Sequence, residues 1–280
     1  SLGRYYPADG ASFPGIGWSE PSISSPQAKG AWYVGPYPAE GSSGYLFEIP
    51  KPWADSNVPG KYLATGSHQE GGCCGSGAGP SLYAIGPWND GNPPSDGTRL
   101  DAKQLLNYPD LPSSYTSAYD PRLASGPRNF PGYQACDDWT GGAWLTAGGK
   151  SATIIIGRKS LGNTFYGEGR PGDSSQSRGY HCDPYEPQFL FYNPDDLAQV
   201  AKGQKQPWEP LPYAIFRPTQ YFWPGPAFLL GEVGFDSTRG LLYVAQRYAD
   251  SKDGRGAYPL IHVFQINVAP TSPTPTPTPI

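Results

Sequence analysis

The densest group of residue types able to do chemistry is the run Cys136-Asp137-Asp138-Trp139-Thr140-Gly141-Gly142. Two adjacent carboxylates beside an indole suit two tasks. Carboxylate oxygens can hold Ca²⁺, and an aromatic ring flanked by hydrogen-bonding groups can hold a sugar. The same residues would serve equally as a solvated turn that caps backbone groups. His68-Gln69-Glu70 and His181-Cys182-Asp183 set imidazoles beside carboxylates, the combination that general acid–base chemistry requires. Glycosidic hydrolysis would need two carboxyl groups about 5–10 Å apart. The available pairs are Asp137 or Asp138 with Glu70, Asp183 or Glu186. The spacings match no catalytic or metal motif, because HExxH, paired CxxC and GxSxG are all missing from the sequence. No cofactor is therefore expected beyond a candidate Ca²⁺. His262 alternates with apolar neighbours, the pattern of a strand histidine. The Asp/Gly-rich stretches 89–97 and 250–254 lack the 1-3-5 oxygen spacing closed by a glutamate, and read as turns.

Aromatic rings offer a second kind of chemistry. The chain has 20 Tyr, 8 Trp and 11 Phe, and much of this must pack inside. Tyr221-Phe222-Trp223-Pro224-Gly225-Pro226 differs in setting rings among turn residues. Exposed, Tyr221 and Trp223 would form a shelf for a glycan or another subunit. Buried, they would plug the underside of a loop.

Composition limits the partners. Charged residues make up 16% of the chain and the net charge is −4, so there is no basic footprint for nucleic acid or anionic lipid. No apolar run approaches the ~18 residues needed to span a membrane. Methionine is absent, position 1 included, as expected of a processed, exported chain. Cys73, Cys74, Cys136 and Cys182 are even in number, which fits an oxidising, extracellular or cell-surface setting. Four cysteines allow three pairings. A bond between adjacent Cys73 and Cys74 needs a distorted peptide. The crossed arrangement, each bonded to a different distant cysteine, is the expectation.

The elements that must position these residues are strands. Gly (37) and Pro (34) make up about a quarter of the 280 residues, and they punctuate short β-rich runs. Residues 32–34 and 45–49 are expected to form a first pair. Further strands are expected at 61–66, 81–85, 104–108, 143–146, 151–157, 188–192, 212–216, 231–235, 241–246 and 260–268. Ala147-Gly148-Gly149-Lys150 suits a tight hairpin. One short surface helix is expected after Asn193, with Pro194 at its first position, Asp195 and Asp196 at its positive end, and Gly203 beyond its end. From 269 onward the chain reads Ala-Pro-Thr-Ser-Pro-Thr-Pro-Thr-Pro-Thr-Pro-Ile. Alternating Pro excludes helix and central strand, so this is an extended spacer. Thr271, Ser272, Thr274, Thr276 and Thr278 are candidate O-glycosylation sites.

Three weakly similar units of about 50–65 residues point to a β-propeller. The stretches GGAWLTAGGKSATIIIGRKSLG, FLFYNPDDLAQVAKGQKQPWEPLPYA and GFDSTRGLLYVAQRYAD…PLIHVFQINV resemble a group of uncharacterised secreted bacterial β-propeller proteins. That resemblance implies an all-β propeller over residues 1–268, of about four to seven blades, with 1–40 an irregular or partial blade and 269–280 a linker. It implies no activity. The expectation is a non-catalytic module that binds, or assembles filaments, at the cell surface. Self-association, or contact with another surface protein through the tail, is expected. A glycan-active hydrolase or carbohydrate-binding module with its site at the channel mouth is the alternative.

Overall fold

A computed structural model describes residues 14–19, 22, 24–25, 27–67, 77–86, 94–109, 128–225, 228–250 and 258–267. Its centre is a strand buried on both faces. In β8 (Lys150–Ser160) the run Ala152-Thr153-Ile154-Ile155-Ile156-Gly157 is wholly inaccessible or nearly so. An unbroken apolar run with little alternation is what such double burial demands. Each isoleucine contributes about 1.5–3 kcal/mol by leaving water. β7 (Asp138–Ala147) reaches β8 through Gly148 and Gly149, at φ +53° and +77°. Both lie where a two-residue hairpin turn needs them, and side chains resist that region. β11 (Tyr185–Tyr192) pairs along β8 from Tyr185↔Ser160 to Tyr192↔Thr153, and β12 (Ala214–Phe216) closes the order β12-β11-β8-β7. A two-stranded insertion, β9 (Phe165–Gly167) and β10 (Gly179–His181), interrupts the meander.

A sheet lies on each side of this one. On one side β3 (Leu46–Glu48), β4 (Leu63–Thr65), β5 (Leu82–Gly86) and β6 (Arg99–Leu106) form an antiparallel meander. Ile155, Leu190, Tyr192 and Trp144 point into the core they share with it. On the other side lie β13 (Leu230–Asp236), β14 (Leu241–Asp250) and β15 (Tyr258–Gln265), which face Ile154, Ile156 and Phe189. The period-2 alternation of β8 and β11 thus feeds two cores at once. An edge strand from each of the three sheets takes part in one contact, with β7 against both β3 and β13. Gly141 and Gly142 make that approach possible. A Cβ at Gly141 would collide with Val233 Cγ2, and one at Gly142 would sit 2.6 Å from Phe47 Cε1.

Strand predominates over helix, as expected, and no closed ring of blades is shown among the described residues. Two local expectations are corrected. Residues 32–34 do not pair with 45–49. Instead β2 (Ala28–Val34) makes a hairpin with β1 (Ile16–Ser19) and joins β6 in parallel, Tyr33↔Arg99 and Val34↔Leu100. The Trp32 indole fixes this register by donating to the Pro94 and Ser95 carbonyls. Nor is there only one helix. α3 (Pro194–Ala201) forms as expected, with the Asn193 side chain accepting from the Asp195 N–H and Gly203 at φ +73°. A helical turn α1 (Ala39–Ser42) and a seven-residue helix α2 (Lys51–Asn57) precede it, α2 opening on Pro52 in its first turn.

Candidate functional site

The acid run does not present its carboxylates together. Asp137 is fully buried and accepts from the Gln134 N–H (3.0 Å), the Ser160 N–H (3.0 Å), Ser160 Oγ (2.7 Å) and Lys159 Nζ (2.8 Å). Burial raises its pKa, opposed by the Lys159 charge. Asp138 Oδ2 lies 3.8 Å from both Arg158 Nε and Arg247 Nη2. Trp139 is buried, edge-on to Phe130 at 5.9 Å. Strand alternation therefore sends neighbouring side chains of this run to different neighbours.

His181 is also taken up internally. Its ring stacks on Phe165 at 4.9 Å, its Nε2 lies 3.1 Å from the Gly167 carbonyl and 3.0 Å from that of Ser177, and its Nδ1 is 3.7 Å from Asp173. These contacts close the β9–β10 insertion. Asp183 accepts from the Ser174 N–H (2.7 Å), and Glu186 pairs with Arg217 (3.0 Å). Cys136 is bonded to Cys182, which ties the insertion to the start of β7. This overturns the crossed pairing, in which each of these would have bonded one of the adjacent pair. The strands bring the two distant cysteines to a Cα separation of 6.0 Å, within ordinary bonding range. His68, Glu70, Cys73 and Cys74 lie outside the described residues, as do Thr271, Ser272, Thr274, Thr276 and Thr278. Among the described residues no group of three His, Cys, Asp or Glu could hold a metal ion. No described helix is long and apolar enough to cross a membrane.

Tyr221 and Trp223 are placed differently. Both residues are more than half exposed, at 59% and 51%, while Phe222 between them is buried. A 3₁₀ turn, Thr219–Tyr221, starts this loop after Pro218. One buried side chain then fixes it. The Gln246 amide accepts from the Trp223 N–H (3.0 Å) and donates to the Trp223 carbonyl (2.9 Å), imitating a strand partner. The same Gln246 oxygen lies 2.9 Å from His262 Nε2, so that nitrogen must carry the proton and donate. Burial lowers the His262 pKa against a backbone hydrogen bond at Tyr221 that raises it, and the ring packs 4.3 Å from Phe222. The exposed aromatics are thus held on a rigid support.

Beside this loop runs an aromatic groove of about 570 Å³ between the edge strands β12 and β15. Phe189 and Phe191 of β11 form its floor, with Phe216 directly across from Phe189 in the strand register. β15 contributes His262 through Gln265, and Tyr221 stands at the rim. Phe264 is the hub, its ring centroid 5.4 Å from Phe189, 6.5 Å from Phe216 and 6.3 Å from Tyr221, each edge to face. Among the described residues no Asp, Glu, Lys or Arg lines it. Along the outer side of β15, Tyr258, Ile261 and Val263 are about half exposed. The groove's other walls, Phe189, Phe216 and Phe264, escaped the sequence reading because they read as ordinary strand aromatics. Their only signal was aromatic density, with Phe216 and Phe264 on edge strands and Phe189 on the strand beside one.

Comparison with protein families, with curated proteins and with solved structures gave no match to this chain.

Proposed function

We propose that this chain is a non-catalytic β-propeller module that acts outside the cell and assembles through its aromatic groove. The observation that carries this is a cleft of about 570 Å³, uncharged among the described residues, walled by Phe189, Phe216, Tyr221 and Phe264 and open to solvent. Its size suits a bound segment, and exposed apolar surface of this kind marks contact sites. Support for the propeller comes from three meanders stacked face to face with their first strands, β3, β7 and β13, adjacent. The disulfide is compatible with an oxidising compartment. Against catalysis stands the internal use of Asp137 and His181.

A second reading, carbohydrate binding at the same rim, is favoured by the exposed rings of Tyr221 and Trp223 on a fixed loop. Negative-stain microscopy and a glycan array, run on the protein and on Tyr221→Ala and Trp223→Ala, separate the two. Filaments or lattices that shorten in the variants support assembly, whereas array signals lost in the variants support the glycan reading. Discrete monomers with a blank array would overturn both.

A further inference from the structure

We infer that the groove receives the Thr/Pro-rich segment 269–280 of a second copy of this chain, held as a polyproline II helix. This rests on the assembly reading and names its occupant. The chemistry of the two surfaces matches. A polyproline helix makes no internal hydrogen bonds, and it docks where aromatic rings can stack on its pyrrolidines and a rim donor can meet its carbonyls. Phe189, Phe216 and Phe264 supply the rings, and Tyr221 supplies a phenol at the exposed rim. Segment 269–280, which lies outside the described residues, has prolines at 270, 273, 275, 277 and 279, so Pro270-Thr271-Ser272-Pro273 repeats on the three-residue turn of that helix.

Charge agrees as well. The segment contains no Asp, Glu, Lys or Arg, and neither does the groove lining among the described residues. No ionic group need be desolvated when the two meet.

The covalent geometry favours a neighbour over the chain's own groove. β15 ends at Gln265, so folding back along it would require reversal near Asn267 and Val268. Tight hairpin turns need positive φ at one or both central residues, which β-branched Val268 resists. A residue preceding proline, as Ala269 precedes Pro270, disfavours the helical region that a reversal would use. As a polyproline II helix, twelve residues at about 3.1 Å each would span roughly 37 Å, a length suited to bridging two copies.

The test uses the full chain with a labelled synthetic peptide, Ala269 to Ile280. Anisotropy reads docking and sedimentation equilibrium reads self-association. Saturable peptide binding is expected, weakened at least tenfold in Phe216→Ala and in Tyr221→Ala, and excess peptide should return assemblies to monomer. A full chain carrying Ala at 273, 275, 277 and 279 should lose assembly with an unchanged melting temperature. If the chain assembles but ignores both peptide and proline replacement, the occupant is wrong while the assembly reading survives. If it stays monomeric at every concentration and proline replacement alters the Trp223 fluorescence, the segment occupies its own groove and docking between copies is overturned. A monomer that binds no peptide at millimolar concentration overturns the proposal and the assembly reading together.

Discussion

Asp137 illustrates how a residue that looks chemical becomes architectural. Its carboxylate accepts four hydrogen bonds where β7 begins and β8 ends, one from a Lys159 that is itself only 12% exposed. Removing one partner of such a pair strands the other charge, so Asp137→Ala should destabilise the fold by about 3–5 kcal/mol in urea denaturation. A loss under 1 kcal/mol would mean the pair is not structural. His262 makes a prediction in pH. An unfolded histidine titrates near 6.5, and burial places the folded value lower. The unfolded state thus takes up protons first as pH falls. Stability from His262 is fully present above the unfolded pKa, is lost as pH drops from about 6.5 to the folded pKa, and changes no further below it. Melting temperatures between pH 7.5 and 5 should decline, and His262→Gln should flatten part of that slope. An unchanged slope would remove His262 from the account.

At the scale of elements, the contact of β7 with β3 and β13 depends on Gly141 and Gly142. Gly141→Ala should cost about 1–3 kcal/mol through overpacking against Val233. Val233→Ala in the same chain should recover part of that loss, because the colliding Cγ2 is then gone. If the single variant melts like the parent protein, the close approach is not needed. Local pattern made most strands legible, since a run such as 151–157 with Gly-Gly before it leaves little choice. The partner of β2 was not legible, because its parallel bond to β6 joins residues about 66 apart through pairing that no local signal encodes. α2 is hard to read locally because Pro50 and Pro52 disfavour a helix interior, although proline is tolerated in a first turn. The cysteine pairing was misjudged for a related reason, since only the path of β7 and β10 decides which thiols meet. Replacing Cys136 and Cys182 together by Ala should lower stability by about 2–4 kcal/mol, given the 46 residues the bond spans. Peptide mapping without reduction should recover the two joined, and any peptide linking Cys136 to Cys73 or Cys74 would contradict it.

For the whole molecule, the distribution of charge predicts how assembly responds to salt. The chain carries a net charge of −4, yet the described groove residues and the segment proposed to fill the groove include no acidic or basic residue apart from His262. Contacts between charged surfaces weaken as the screening length shrinks from about 10 Å at 0.1 M to about 3 Å at 1 M salt. An apolar contact has nothing to lose from that screening, and the mutual repulsion of two negative copies is reduced by it. Self-association measured by sedimentation should therefore hold or tighten between 0.1 and 1 M NaCl, and sulfate, which favours burial of apolar surface, should tighten it further. Phe216→Ala should reduce the sulfate response along with the affinity, since fewer apolar atoms would then be covered. A tenfold loosening at 1 M NaCl would instead place the contact on exposed charges such as Arg217 or Arg239, and the aromatic groove would no longer be the assembling surface.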